Sequence, residues 1–402
     1  MIGIDIVNIS KFKEIVKKDY FITNIFTDDE LAYAMTKQNV YQSLAGIFAA
    51  KEAVIKAYSL NLAYILRKKI EIVHEDNKAK LILNKSSMSA EISISHDGDY
   101  AIATCISNDI ILKEIDKEMM ELFPERMKAS HKGDYGRIGV LGGSSGMAGS
   151  VFMSSMSSLR TGAGLSYIIA PKSISEILQI KATEQIIKEI ECDNFYFDQK
   201  IIEQILESIE ELDVTVIGPG MGKGKDLDKL IDEIIKNTDT TIVIDADGLN
   251  ALSKDLSILK SNNSIILTPH LGEFSRLTNL SIDQINNDKL NIAKKFAKDN
   301  GVILVLKSEN TIVTDGNNYY INKIGNAGMS TAGSGDVLTG IIASLAHRLE
   351  AYHASKLAVY LHSLAGDIAK DNLGEDSLIA TDIIEFLPIA IKKLRNLWLK
   401  HM

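Results

Sequence analysis

From about residue 138 the chain repeats one pattern: a short unbroken apolar run, a polar loop bearing glycine, then a stretch with helical spacing. The runs are Ile138-Gly139-Val140-Leu141, Leu165 to Ala170, Val214 to Ile217, Thr241 to Ile244, Ile265 to Leu267 and Val302 to Leu306. Apolar runs that do not alternate predict strands buried on both faces. The second part of the chain is therefore expected to be a layered α/β fold with a mostly parallel sheet. A helix is predicted through the serines that follow the loop Gly142 to Ser150, ending near Gly162.

The N-terminal part follows another rule. Ile2-Gly3-Ile4-Asp5-Ile6-Val7 reads as a strand, and an acidic residue inside it is costly to bury unless it is paired or meets a cation. A basic helical stretch follows, with Lys11, Lys13, Lys17 and Lys18. Thr27 and Glu30 are spaced as a capping box. Phe48 to Tyr58 is a strong helix pattern in which Glu52 and Lys56, four apart, share a face; taken alone they are an ordinary surface ion pair. Glu91 to His96 alternates as a strand and ends in a histidine. Residues 109 to 130 are charged and Met-rich, with Pro124, and read as a helical connector. Two domains are expected, residues 1–118 and 119–402.

The second domain turns on Gly325-Asn326-Ala327-Gly328-Met329-Ser330-Thr331-Ala332-Gly333-Ser334-Gly335-Asp336, which carries four glycines and runs straight into an apolar helical pattern. Glycines let a ligand approach closely, and the first amides of a helix have no internal partners. Such a loop is an anion site. The Asp336 carboxylate at its mouth would repel a phosphate unless it takes a proton from a hydroxyl being phosphorylated. The plain alternative is a glycine-rich turn with Asp336 as the helix cap. Four more polar loops follow apolar runs: Gly218-Pro219-Gly220-Met221-Gly222, Asp245-Ala246-Asp247-Gly248-Leu249-Asn250, Thr268-Pro269-His270-Leu271-Gly272-Glu273 and Lys307-Ser308-Glu309-Asn310-Thr311. Chemistry in parallel sheets gathers at strand C-termini. Each loop alone could be a turn, a cap or a satisfied core histidine; five on one edge are harder to read that way.

Composition narrows the classes. At 402 residues, 46% hydrophobic and 24% charged, the chain has the balance of a globular protein with room for two or three domains. A net charge of −9 argues against a general nucleic-acid binder. No apolar run approaches the ~18 residues of a membrane span, and the N-terminus lacks a basic segment before an apolar one. A cytoplasmic protein that does not enter membranes is expected. Cys105 and Cys192 have no CxxC spacing and read as isolated thiols rather than a disulfide or metal site.

Gly3-Ile4-Asp5-Ile6-Val7, Phe26-Thr27 with Glu30, Phe48-Ala49-Ala50-Lys51-Glu52-Ala53 with Lys56, and Ser93-Ile94-Ser95-His96 occur in this order. Together they resemble holo-[acyl-carrier-protein] synthase, the small phosphopantetheinyl transferase. The resemblance implies an α+β fold that trimerises, with an active site shared between neighbouring subunits. It implies that Asp5 and Glu52 hold Mg²⁺ against the coenzyme A pyrophosphate while a serine of the acyl carrier protein attacks. Lys56 would face the phosphates, His96 would lie near the same site, and Lys11 and Lys18 would meet the acidic carrier protein. Two positions depart from that pattern. Ile47 stands where the family usually has an arginine that binds a coenzyme phosphate, and Tyr58-Ser59-Leu60-Asn61-Leu62 replaces a Gly-Thr-Gly loop.

The order and spelling of the later loops, over about Lys132 to Thr381, resemble the ADP-dependent NAD(P)H-hydrate dehydratase, a ribokinase-like family. That resemblance implies that Lys307, Ser308, Glu309, Asn310, Thr311 and Gly335 line the adenine nucleotide site. Gly149-Ser150, Gly220, His270 and Asp336 would face the hydrated nicotinamide nucleotide, with amides of Gly333, Ser334 and Gly335 stabilising the migrating phosphoryl group. Ser150 stands where the family often has alanine. An α+β phosphopantetheinyl-transferase-like domain followed by an α/β ribokinase-like domain is the expected architecture, in a homo-oligomer. The implied functions are dehydration of NAD(P)H-hydrate at the expense of ADP, and 4'-phosphopantetheine transfer. Two alternatives stay open: a first domain kept only for trimerisation, and a second domain that is a ribokinase-like small-molecule kinase.

Overall fold

In the computed structural model, residues 2–16, 19–58, 60, 62–75, 78–83, 86–87, 90–107, 117–261 and 263–401 are described. Two units are distinguished, residues 1–114 and 115–402. The first runs β1 (Ile2–Asn8), α1 (Ile9–Val16), α2 (Asp19–Ile25), α3 (Asp28–Met35), α4 (Val40–Tyr58), α5 (Ala63–Leu66), β2 (Ile70–Glu75), β3 (Lys78–Leu83), β4 (Ser86–Ser87), β5 (Ala90–Asp97) and β6 (Tyr100–Ser107). Its strands form an antiparallel sheet in the order β1-β6-β5-β3-β2, with β4 on β3. Lys17, Lys18, Ser59 and Asn61, and the connector up to residue 116, lie outside the described residues.

Helix α4 lies across β1, β6 and β5. Ala49, Ala50, Ala53 and Ala57 are wholly buried along it. Any side chain at Gly3 would collide with the Ala53 carbonyl and the Ala57 amide, so the glycine is what lets helix and strand touch. Strand alternation then sends Ile2, Ile4 and Ile6 to the other face, where they are 68%, 57% and 58% exposed, beside exposed Ile102 and Ile106 of β6. The capping box at α3 is present: Thr27 Oγ1 accepts from the Glu30 amide, and Glu30 Oε2 accepts from the Thr27 amide at 2.9 Å. Glu30 does more than cap. It is buried, accepts from the Ile72 amide at 2.8 Å, and pairs with equally buried Lys51 at 2.7 Å.

The second unit contains α6 (Lys117–Leu122), β7 (Arg137–Leu141), α7 (Ala148–Thr161), β8 (Leu165–Pro171), α8 (Ser175–Lys181), β9 (Ile186–Ile190), α9 (Gln199–Ile209), β10 (Val214–Ile217), α10 (Leu227–Lys236), β11 (Thr241–Ile244) and α11 (Asp247–Leu252). Then come β12 (Ile265–Leu267), α12 (Leu271–Thr278), α13 (Ile282–Asn287), α14 (Lys289–Asn300), β13 (Ile303–Leu306), β14 (Ile312–Thr314), β15 (Tyr319–Ile321), α15 (Ser334–Ala346), α16 (Ala351–Leu373) and α17 (Ala380–His401). One sheet runs in the order β15-β14-β13-β12-β11-β10-β7-β8-β9. Its members from β13 to β9 are parallel; β14 runs antiparallel to β13, and β15 antiparallel to β14.

The central strands are the unbroken apolar runs, buried on both faces. Periodicity alone does not pick out β9, β14 and β15. The outer strands β9 and β15 are only partly buried, so they carry Lys188, Glu189 and two tyrosines where a central strand would carry apolar residues. Cys105 is buried, Cys192 half-buried, and burial pushes both free thiols up to about 11. Among the described residues, no helix is long and apolar enough to cross a membrane.

Candidate active site

Parallel order brings the C-terminal ends of β7, β10, β11, β12 and β13 to one edge of the second unit, and the polar loops converge there. After β10, Gly218, Gly220 and Gly222 all take positive φ. Ser144 Oγ donates to the Gly220 carbonyl at 2.8 Å, and the Gly222 amide donates to Asp247 Oδ2 at 2.8 Å. A Cβ on Gly220 would stand 2.8 Å from the Met147 carbonyl and 3.1 Å from Ser150 Cβ, so this loop lies directly on the start of α7.

After β11 the chain turns through Ala246 at φ +51°, ψ −117°. A residue with a side chain pays of order 1–3 kcal/mol for such a backbone. The turn sends Asp245 into the interior and leaves Asp247 facing the 218–222 loop. Asp245 is buried and accepts from Lys307 Nζ at 2.7 Å and Thr339 Oγ1 at 2.7 Å. Burial alone would raise its carboxyl; the Lys307 charge and the Lys307 and Thr339 hydrogen bonds hold it below the usual range.

After β12, His270 caps α12. Its Nδ1 accepts from the amides of Gly272 at 2.9 Å and Glu273 at 3.3 Å, which puts the ring proton on Nε2, 3.3 Å from Glu273 Oε1. Burial, then the charges of Lys307 and Arg276, lowers the His270 pKa, so the ring is neutral. Burial raises Glu273. After β13, His270 and Lys307 form a parallel bridge. The hairpin that follows is closed by Ser308 N to Thr311 Oγ1 at 3.4 Å and Thr311 Oγ1 to Ser308 O at 3.0 Å, while Glu309 and Asn310 stand exposed at its tip. Ser308 Oγ is buried with no hydrogen-bond partner.

The glycine-rich stretch opens α15 with Gly333 at the N-cap, φ +89°, and no side-chain cap. Asp336 is therefore in the first turn and is not the cap. Burial, then the charge of Asp245, pushes its carboxyl up to about 6, against the Ser150 hydroxyl and Lys307, which lower it. Ser334 Oγ lies 3.3 Å from Nε2 of His362, a ring that burial lowers to about 4. Asp367 accepts from Gly325 N and Asn326 Nδ2, both at 3.0 Å, and Glu375 from Ala327 N at 2.9 Å, which pins the loop before the helix. Thus Ser150, Gly220, Gly335, Asp336 and Lys307 meet, and His270 adjoins them. Asp245, Thr339, Glu273 and Asp367 were not legible as site residues; a carboxylate after an apolar run was the only hint of Asp245.

In the first unit, Lys56 does not stay on its own helix face. Its Nζ reaches Asp5 Oδ1 at 2.7 Å and the Ile4 carbonyl at 2.9 Å. Burial, then the charge of Asp5, raises Glu52, so the two carboxylates sit as uneasy neighbours. That donor set fits a hard divalent cation. Among the described residues no three His, Cys, Asp or Glu side chains are gathered as a metal cage, so the remaining ligands would come from substrate and water. His96 is not gathered with this pair. Its Nε2 lies 3.1 Å from the Gln42 carbonyl and beside Gly46, about 9 Å along α4 from Glu52. It lines a separate cavity of about 610 Å³ with Ile47, Tyr33, His74, Lys78 and Lys80.

The fold and loop set of the second unit are of the ribokinase-like class. Residues 138–389 match the family model of NAD(P)H-hydrate dehydratase, and the chain belongs to that family. Residues 1–105 match the 4'-phosphopantetheinyl transferase superfamily. The bifunctional NAD(P)H-hydrate repair enzyme of Moorella thermoacetica is 38% identical over 278 residues, 68% of this chain and 52% of its own length. That of Escherichia coli is 35% identical over 65% of this chain and 48% of its own length. The chain thus spans about half the length of these curated relatives. Among solved structures, the ADP/ATP-dependent NAD(P)H-hydrate dehydratase of Bacillus subtilis, co-crystallised with ATP/Mg²⁺, superposes with a TM-score of 0.60 at 25% identity, over 69% of this chain and 96% of its own. A ribokinase-like superfamily protein of Enterococcus faecalis gives 0.61 at 26% identity, over 70% and 95%.

Proposed function

We propose that the second unit dehydrates NAD(P)H-hydrate with ADP as the phosphoryl donor. The observation that carries this reading is the meeting of Asp336, raised to about 6, with uncapped helix amides at Gly333 and an ammonium at Lys307. The hydrate carries a hydroxyl on its reduced ring, and hydroxide leaves poorly. Asp336 takes the hydroxyl proton as the oxygen attacks the β-phosphorus; the new O–P bond forms and the bond to the α-phosphate oxygen breaks, releasing AMP. The amides of Gly333, Ser334 and Gly335 and the Lys307 ammonium meet the charge on the transferred group. Phosphate then departs with the C–O electron pair, pushed by the ring nitrogen, and loss of a proton from the adjoining ring carbon restores NAD(P)H. Ser308 to Thr311 would hold the adenine nucleotide, and Ser150, Gly220 and His270 the hydrated nucleotide. Incubation of the full chain with hydrated NADH and ADP should restore the near-ultraviolet absorbance of reduced nicotinamide and yield AMP. A stable phosphorylated product would indicate a small-molecule kinase instead.

The first unit, on the same reading, transfers 4'-phosphopantetheine from coenzyme A to a serine of an acyl carrier protein. Asp5 and Glu52 would hold Mg²⁺, which would neutralise the pyrophosphate, and Lys56 would turn from Asp5 to the phosphates. The exposed isoleucines of β1 and β6 suit self-association, which would bring His96 of one copy toward the acid pair of another. Mass analysis of a carrier protein after incubation with coenzyme A and Mg²⁺ tests it; an unmodified carrier would leave this unit an assembly module.

A further inference from the structure

We propose that the ion pair between buried Asp245 and partly exposed Lys307 is the positioning device of the second unit's site: Asp245 holds the Lys307 ammonium against Gly335, where it faces an incoming anion, and off Asp336, which stays free to accept a proton. The proposal rests on the reading of Asp336 as a base.

The two charges come from strands that are not neighbours. Asp245 follows β11, Lys307 follows β13, and β12 lies between the two strands. Two strand spacings are about 10 Å, a span bridged jointly by the long lysine stem, the hydrogen bond and the aspartate side chain. Asp245 is anchored on both oxygens, Oδ1 by Lys307 Nζ at 2.7 Å and Oδ2 by Thr339 Oγ1 at 2.7 Å. Thr339 sits one turn into α15, so the pair is tied to the helix whose N-terminus has no side-chain cap. A Cβ on Gly335 would stand 3.2 Å from Lys307 Nζ and 3.9 Å from Asp245 Oδ2. The ammonium therefore lies beside Gly335 in the first turn of α15.

The charges around Lys307 make the choice of partner consequential. Glu273 from α12 and Asp336 from α15 both attract it, along with Asp245. Asp336 itself faces Asp245 and Asp247 from the β11–α11 turn, Lys307 from β13 and Ser150 from α7. Neutral His270 on α12 and neutral His362 on α16 complete the titratable surroundings of the lysine. A lysine paired to Asp336 would make that carboxyl a poor proton acceptor. Removing Asp245 strips away a neighbouring negative charge and frees Lys307 to make that pairing.

The test is a carbon-13 NMR titration of the Asp336 carboxyl in the full chain labelled at aspartate, assigned with Asp336→Asn. In Asp245→Asn the midpoint should fall by about one unit or more, a tenfold loss of proton affinity. In Lys307→Met, where Thr339 still serves Asp245, it should rise. Opposite shifts from opposite charges cannot come from loosened packing, which would move both variants alike. If Asp245→Asn is insoluble, Lys307→Met decides alone. An unchanged or raised midpoint in Asp245→Asn, or an unchanged or lowered one in Lys307→Met, overturns the proposal. The titration needs no turnover, so a wild type that fails to dehydrate NADH-hydrate would sink the functional reading while the titration still judged the ion pair.

Discussion

Ser154 Oγ donates a 2.9 Å hydrogen bond to the main-chain carbonyl of Asp336. It ties the middle of α7 to the first turn of α15, and the two helices touch closely enough there that Gly340 has no room for a side chain beside the Ser154 carbonyl. Gly340→Ala should therefore push the helices apart and cost about 1–3 kcal/mol, the range for an overpacked core. Ser154→Ala should cost about 1 kcal/mol, one neutral hydrogen bond. Urea unfolding measures both. A Gly340→Ala protein as stable as the wild type would show that the contact has slack.

Asp336 should give the dehydratase an acid limb with a midpoint near 6, since only the ionised carboxylate accepts a proton. Asp336→Asn should keep ADP binding by calorimetry and lose at least ~10²-fold in kcat. The same group should weaken the fold. Its pKa is raised on folding, so its contribution to stability is present below the unfolded value near 4 and is lost as pH rises through about 6. Asp336→Asn is thus expected to raise Tm at pH 8 and not at pH 4.

Lys51 stands in the helix stretch beside Glu52, yet its partner is Glu30, with both side chains fully buried, and Nζ also donates to the Ile25 carbonyl at 2.7 Å. Lys51→Met strands a buried carboxylate and should cost about 3–5 kcal/mol. The double variant Glu30→Gln with Lys51→Met should recover much of that loss. Equal losses in the single and double variants would mean that packing, not charge, dominates.

Glu52→Gln should abolish carrier-protein modification and its dependence on Mg²⁺ while leaving the first unit at least as stable at neutral pH. Burial and Asp5 both disfavour the Glu52 charge, so neutralising it relieves a cost. Carrier mass and thermal melting read the two effects separately.

Ile4→Glu places a charge on the exposed apolar face of β1 without touching the α4 side. Light scattering should show a smaller assembly. An unchanged mass would mean that this face is not an interface between copies.

The order of residues was enough to locate the central parallel strands, because burial on both faces demands unbroken apolar runs, and to place the glycine-rich loop that opens α15, because glycines and a following helix are local features. It also sufficed for the capping box at Thr27 and Glu30, which are three residues apart. Only the folded chain could decide which partners those groups have at long range. Glu30 finds Lys51 across two helices, Lys56 leaves Glu52 for Asp5, and Asp245 meets Lys307 across an intervening strand, 62 residues on. Hydrophobic period reports which face is dry; a buried charge can be settled only by whatever opposite charge the topology carries to it, and strand order is not written in local spacing.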